Sequence, residues 1–255
     1  MDLRHGDCLD ETGMCTLADK SVDMICCDMP YNVTDMKWDK ALDLNAVFKE
    51  YNRIIKDNGA IVLFGKMPFA LDLVSANRRF FRYELIWDKM RSCNFYHANV
   101  KPLPSHENIY VFYKKKPTYN PQMREGGAYK RDNTKSKAGG HQPRENFKFF
   151  EGAREYTGRF PVTILPFKQD RGLHPTQKPV ALIEWLVKTY TNEGDIVLDN
   201  TFGSGSCAVA CQNLGRRFVG WEMNEAYFKV ASERLEKSDG DRKNVGYTPT
   251  PFLSP

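Results

Sequence analysis

The 255-residue chain is 41% hydrophobic and carries a net charge of +5, a composition that supports a sizeable core and excludes a disordered or collagen-like chain. No apolar stretch approaches the roughly 18–20 residues of a membrane span, and the opening Met1-Asp2-Leu3-Arg4-His5 lacks the basic-then-apolar order of a secretory leader, so a cytoplasmic protein is expected. Seven cysteines, an odd number with Cys26 and Cys27 adjacent and no Cys-x-x-Cys pair, argue against a disulfide framework. Cys207 and Cys211 stand one helical turn apart, but no second pair completes a tetrahedral set and no metal is expected.

In chain order, the first element to stand out is Val22–Cys27, a short and almost wholly apolar run closed by Asp28, which suits a strand buried in a parallel sheet. Leu44, Val47, Phe48, Tyr51, Ile54 and Ile55 then recur at helical spacing, and Asn58-Gly59 reads as the end of that helix. Ala60–Phe64 is a second buried strand, and Tyr83–Trp87 and Asn108–Tyr113 are expected as strands lying near one another. Pro179 opens an apolar helix through Val180, Leu182, Ile183, Leu186 and Val187. Ile196–Leu198 forms a strand ending at Asp199. A glycine turn, a small-residue helix around Ala208–Ala210 and a strand from Arg217 to Trp221, ending at Glu222, complete a βαβ unit. Asn224 is placed to cap a last helix through Leu235, and residues 238–255 read as a polar tail. This alternation predicts an α/β fold, an open and mostly parallel twisted sheet with helices on both faces.

Between Pro117 and Pro161 the periodicity stops. Gly, Asn, Lys, Arg and Ser dominate, with breaks at Gly126-Gly127 and Gly139-Gly140, so a long functional or mobile loop is expected. From Asn120 to Phe160 nine Lys/Arg stand against five Asp/Glu, a surplus of four that is most of the chain's +5. A basic surplus in a polar segment suits a polyanion, although a solvated loop has the same composition. Arg124, Lys130, Arg131, Lys135, Lys137 and Arg144 are the candidates for nucleic-acid contact.

Two strand ends carry the chemistry. Asp28-Met29-Pro30-Tyr31 follows a buried strand, at the edge where open α/β sheets place their ligands. The Asp28 carboxylate and the Met29 carbonyl can each accept one hydrogen of an amino group on a flat heterocycle, and Tyr31 offers a stacking face. As a bare string, these four residues also describe an ordinary exit from a strand. The second end is Asp199-Asn200-Thr201-Phe202-Gly203-Ser204-Gly205-Ser206, where glycines let the backbone approach a ligand over a helix N-terminus. Glu222, ending the next strand, can take the two hydroxyls of a ribose. Gly203-x-Gly205-x-x-Ala208 also fits the dinucleotide fingerprint, so a nicotinamide or flavin oxidoreductase suits this half equally.

Taken together, Asp28-Met29-Pro30-Tyr31, the basic interval, the string His174-Pro175-Thr176-Gln177-Lys178-Pro179 and the later glycine turn resemble the β-group amino methyltransferases of DNA. In that family the catalytic Asp-Pro-Pro-Tyr element precedes the target-recognition region and the cofactor glycines come last. The likeness runs from about Arg4 to Leu235, and Pro102–Glu107, Val111–Lys114 and Pro117–Gln122 look like adenine-specific bacterial and phage members. The resemblance implies a Rossmann-like methyltransferase fold in permuted order over residues 1–237, with 120–160 as an inserted target-recognition segment.

It further implies S-adenosyl-L-methionine as cofactor, double-stranded DNA as partner, a homodimer as one assembly, and a setting in restriction-modification. Asp28, Met29, Pro30 and Tyr31 would then bind and activate the target base. Gly203, Ser204, Gly205 and Ser206 would cradle the methionine end of the cofactor together with Asp199 and Phe202, and Glu222 would hold the ribose beside Asn224. Asp7 and Cys8 would lie near the cofactor adenine, and Thr176 and Lys178 beside its methionine. His106 and Glu107 are expected to be structural. Met29 stands where the family has its first proline, and Asn200-Thr201 where it has Pro-Phe. The implied reaction is methylation of the exocyclic N6 of adenine, with base flipping. Cytosine-N4 methylation, an RNA or protein-glutamine acceptor, an oxidoreductase and a catalytically dead DNA-binding protein are the rival readings.

Overall fold

The computed structural model describes residues 1–31, 42–132, 153–170, 172 and 177–244. It divides into two compact units, Met1–Asn120 with Thr163–Pro255, and Pro121–Val162.

The larger unit is built on one eight-stranded sheet. Its strands are β1 (Asp2–His5), β2 (Val22–Cys27), β3 (Ile55–Gly65), β4 (Phe81–Asp88) and β5 (His106–Phe112), followed after the smaller unit by β8 (Ile164–Pro166), β9 (Ile196–Asp199) and β10 (Arg217–Glu222). The spatial order is β1-β10-β9-β2-β3-β5-β4-β8. Every pairing is parallel except the two made by β5, which therefore runs alone against the other seven. This is the open, mostly parallel sheet expected from the alternation of elements.

Helices cover both faces. On one side lie α3 (Val180–Tyr190), α4 (Ser206–Asn213) and α5 (Glu225–Asn244), packed on Met24, Cys26, Val62, Phe64 and Val197. On the other lie α1 (Leu44–Ile54) and α2 (Phe69–Ala76), packed on Ile25, Cys27, Ile61, Leu63 and Leu198. Alternate residues of β2 thus feed opposite cores, which is why its sequence, apart from Asp23, is apolar rather than alternating. Fully burying one such Leu or Ile side chain contributes about 1.5–3 kcal/mol. Cys207 and Cys211 are buried on the inner face of α4, and all seven cysteines are free thiols. No helix among the described residues is long and apolar enough to cross a membrane.

Local chemistry explains most boundaries. Asp43 caps α1, its carboxylate accepting from the amides of Asn45 (2.9 Å) and Ala46 (3.4 Å), and Val47, Phe48, Tyr51 and Ile54 form its buried stripe. The helix does not reach Asn58-Gly59, as the sequence suggests; it ends at Ile54 and the chain turns directly into β3. Gly59 instead lies at a register shift, where Val22 faces Ile55 but Met24 already faces Ala60. A Cβ there would sit 2.7 Å from the Asp23 carbonyl, so only glycine lets the strands approach. Asn224 caps α5 by accepting from Ala226 (3.0 Å) and Tyr227 (3.3 Å), and the helix continues to Asn244, into the stretch read as a polar tail.

The smaller unit is not the structureless loop its composition suggests. β6 (Tyr129–Asp132) and β7 (Ala153–Tyr156) form an antiparallel ribbon. Tyr129 stacks on Tyr156 at 5.2 Å, and the Arg159 guanidinium lies 4.2 Å over the Tyr129 ring. Arg124 and Arg159 exchange both backbone hydrogen bonds (2.8 and 3.0 Å), which closes the ribbon's base. Cross-strand aromatic pairing compensates for the missing apolar periodicity.

Candidate active site

Going outward from β2 the sheet adds β3 on one side, and going outward from β9 it adds β10 on the other. The gap between the C-terminal ends of β9 and β2 is therefore a topological switch point, where the two following loops diverge and leave a crevice. Those loops are Asp28–Tyr31 and Asn200–Gly205, and they touch. The Thr201 hydroxyl donates to the Asp28 carbonyl (3.3 Å) and lies 3.1 Å from the Cys27 sulfur, while the Thr201 amide donates to Asp199 Oδ1 (3.2 Å). Asn200, buried at 1% exposure, accepts from the Tyr51 hydroxyl and donates to the Cys8 sulfur (3.3 Å). Of the two residues that depart from the family's Pro-Phe, Thr201 thus supplies a polar clasp between the loops, and Asn200 ties its loop to α1 and to the Cys8 turn.

On the β2 side, the Asp28 carboxylate accepts from the Tyr31 hydroxyl and from Lys178 Nζ. Lys178 also lies 3.3 Å from Glu107 Oε2, and Glu107 Oε1 pairs with Lys89 at 2.5 Å. Asp28, Lys178, Glu107 and Lys89 therefore form a chain of alternating charge. Burial pushes the Asp28 carboxyl above the ordinary range even though Lys178 opposes it. Burial would raise Glu107 as well, but its two lysine partners hold it below the usual value. Burial would lower Lys178, but the two carboxylates overcome this and raise it. Burial, reinforced by Asp28, lifts Tyr31 well above the phenol range, so its hydroxyl remains a donor. Phe69 stacks behind the Tyr31 ring at 5.0 Å, and Met29 turns its side chain into the core. Glu107, expected to be structural, is linked to Asp28 through a single shared lysine, Lys178, a proximity created by the reversed strand β5.

On the β9 side, Gly203 and Gly205 take positive φ values of 52° and 77°. A Cβ on Gly203 would meet nothing within 4 Å, so the turn faces open space; one on Gly205 would lie 2.8 Å from the Ala231 Cβ. Glu222 braces the turn, accepting from the amides of Gly203 (2.9 Å) and Asn224 (2.8 Å), and burial raises its carboxyl. Arg234, with no signal in the sequence, donates to the Ser204 carbonyl (3.0 Å) and the Ser206 hydroxyl (3.2 Å). Phe202 is packed between Phe218 and Phe228, so its ring serves the core. Asp199 is buried, and burial lifts it to about 7. The Gly6 amide donates to the Glu222 carbonyl (3.1 Å), which brings the Asp7-Cys8 turn to the same edge. Asp7 is exposed and accepts from Leu9 (2.9 Å), and burial raises the Cys8 thiol to about 11.

The structure therefore places Asp28, Tyr31 and Lys178 on one side of the switch point and the glycine turn with Glu222 on the other, with Thr201 joining the two loops. The side chain of Asn224 is committed to its helix cap. Arg124 and Lys130 are exposed on the smaller unit and Arg131 lies within β6. Thr176, Lys135, Lys137 and Arg144 lie outside the described residues.

Comparison with known proteins gives a consistent result. A family described as DNA methylase, whose members act at N6 or N4, matches residues 22–233. The type II methyltransferase M.HpaI of Haemophilus parainfluenzae is 27% identical over 86% of this chain and 70% of its own length. The DNA adenine methyltransferase YhdJ of Escherichia coli K12 is 27% identical over 91% of this chain and 81% of its own. The crystal structure of the M1.HpyAVI–SAM complex, 25% identical, superposes with a TM-score of 0.63 over 92% of this chain and 98% of that one. The cytosine-N4-specific PvuII DNA methyltransferase reaches the same TM-score at 15% identity over 94% of this chain and 91% of its own, a likeness of fold alone.

Proposed function

The chain belongs to the DNA methylase family and is a β-group amino methyltransferase of DNA, and from that premise we propose that it methylates the exocyclic N6 of adenine in double-stranded DNA. The observation that carries this reading is the clasp at the switch point, which seats a carboxylate-bearing loop against an open glycine turn. The turn, Glu222 and the Asp7-Cys8 edge fit S-adenosylmethionine: the space over Gly203 is uncovered, and Glu222 is fixed by two backbone amides. In the proposed arrangement Glu222 holds the ribose hydroxyls, Gly203–Ser206 hold the methionine end, and Lys178 lies beside it. When bound, the cofactor supplies an electrophilic sulfonium methyl group.

The remaining work falls to the protein. An adenine amino nitrogen is a poor nucleophile because its lone pair is delocalised into the ring. Asp28 accepts one amino hydrogen and the Met29 carbonyl the other, which localises the lone pair and points it along the line of transfer. With the methyl donor bound, Asp28 would take up the amino proton released on transfer, and its raised carboxyl is suited to hold it. Pro30 restrains Met29 to an extended backbone, so the acceptor survives replacement of the family's first proline. The target base must leave the duplex to reach this crevice. Phe69 backs one face of Tyr31, and the opposite face is the one assigned to the flipped base. Asp at position 28 favours adenine, because members of the family that act on cytosine more often carry Ser there.

The test is nucleoside analysis of unmethylated DNA after incubation with the protein and S-adenosylmethionine, followed by mapping of the modified positions. N6-methyladenine in one sequence context is expected. N4-methylcytosine would move the chain to the other branch of the family, and no modification at all would overturn the reading.

A further inference from the structure

Lys89–Ser105 connects β4 to β5 at the sheet edge that bears Asp28, because β4 runs parallel to β2 and β5 returns against it. These residues include Lys89, Arg91, His97 and Lys101 and not one carboxylate. They also hold the most exposed cluster of large apolar side chains in the unit: Phe95 at 80%, Tyr96 at 77%, Val100 at 78% and Met90 at 57%. The segment is organised rather than slack. Lys89 donates to the Ser105 carbonyl (2.8 Å) and Cys93 to Pro104 (2.9 Å), zipping the base. Asn94 takes the left-handed conformation (φ 59°, ψ 47°), and a 3-10 turn, Phe95–His97, follows. Ala98 donates to Phe95 (2.9 Å) and Val100 to His97 (2.8 Å), and the Tyr96 and His97 rings lie 4.3 Å apart. The root is anchored to the active site, since Lys89 pairs with Glu107, and Glu107 with the Lys178 that binds Asp28. Beneath the loop is a pocket of about 300 Å³ lined by Lys66, Trp87, Lys89, Arg91, Asn94 and Glu107.

We infer that this loop is the wedge that enters the DNA stack as the target base leaves it, an inference that rests on the functional reading above. A base extruded from a duplex leaves a gap whose neighbours have lost stacking, and aromatic or apolar side chains carried on a cationic support are suited to fill it. Phe95 and Tyr96 at the tip fill the gap, while Arg91 and Lys101 flank them and meet phosphates. The absence of carboxylates on the loop favours a polyanion over a second copy of this +5 chain. The rigid root fixes the wedge relative to Asp28, so insertion and capture of the base are coupled.

The test compares wild type with Phe95→Ala/Tyr96→Ala on two short duplexes carrying the mapped methylation site. One is fully paired; the other has an abasic position opposite the target adenine, where extrusion costs little. The variant's kcat/KM should fall by about tenfold or more on the paired duplex and stay within about threefold of wild type on the abasic one. Both side chains are largely in solvent, so melting temperatures should match. Equal losses on both duplexes, or no loss on the paired one, overturn the wedge while leaving the methyltransferase reading intact. A dimeric wild type that becomes monomeric on substitution assigns the patch to a second copy instead. Wild-type protein that methylates no DNA sinks the functional reading and the wedge with it.

Discussion

Lys178→Met is the most informative perturbation of the ion chain. Methionine nearly preserves the volume of a lysine that is 8% exposed, and it removes the cation between Asp28 and Glu107. Glu107 keeps its 2.5 Å pair with Lys89, so its ionised form survives. The Asp28 carboxylate keeps only the Tyr31 hydroxyl among its described partners, and it also feels the Glu107 charge. One carboxylate is left uncompensated, for which the expected cost is about 3–5 kcal/mol when the group is forced to ionise. Asp28 escapes that cost by protonating. A folded-state pKa raised above the unfolded one stabilises at low pH and loses that stability as pH rises through it, so the variant should be nearest wild type in acid. The gap should widen by up to about 1.4 kcal/mol per pH unit until Asp28 is ionised. Urea unfolding between pH 5.5 and 9, alongside the pH dependence of methyl transfer, measures both effects. The acidic limb of the rate profile should move to higher pH, because a protonated Asp28 no longer accepts the amino hydrogen. Adding Glu107→Gln should recover at least about 1 kcal/mol at high pH through coupling. A loss below about 1 kcal/mol, or one identical at both ends of the pH range, would refute the reasoning.

Three further outcomes follow from other parts of the site. Asp199, lifted by burial from 3.8 to about 7, binds its proton more tightly folded than unfolded, so wild type should lose up to about 4 kcal/mol of stability as pH rises through that window. Asp199→Asn should flatten that slope in urea unfolding, and an unchanged slope would show that Asp199 titrates normally. Gly205→Ala places a Cβ 2.8 Å from that of Ala231 at a φ of 77°, and should cost about 1–3 kcal/mol in thermal unfolding and weaken S-adenosylmethionine binding by calorimetry. Tyr31→Ala should lower kcat/KM on DNA by the equivalent of about 1–3 kcal/mol of lost stacking, with cofactor affinity little changed. An unimpaired Tyr31→Ala enzyme would remove the base-stacking role.

The fold was legible where one physical rule dominated. Val22–Cys27, apolar but for Asp23, and Ile196–Leu198 are strands packed on both faces and read as apolar runs, and Asn224 read as a cap because its side chain can reach two free amides. Asn58-Gly59 misled because glycine serves close strand approach as readily as a helix end, and only the neighbouring strand reveals which applies. The ribbon at Tyr129–Tyr156 was hidden because its stability comes from aromatic and cation–π contacts rather than a buried face. At the active site, the two motif loops were visible as strings, but the ion chain was not. Lys89, Glu107 and Lys178 come from three distant segments, and the reversal of β5 that unites them leaves no local signature. Arg234 and the Asn200–Tyr51 contact were invisible for the same reason.

The central claim is that one crevice, between the ends of β2 and β9, serves both the methyl donor and the acceptor base. Its most direct test is Asp28→Ala, assayed in parallel for equilibrium binding of S-adenosylmethionine and for methyl incorporation into DNA. Transfer should vanish while cofactor affinity stays close to wild type. A variant that still methylates DNA at the wild-type rate would contradict the account.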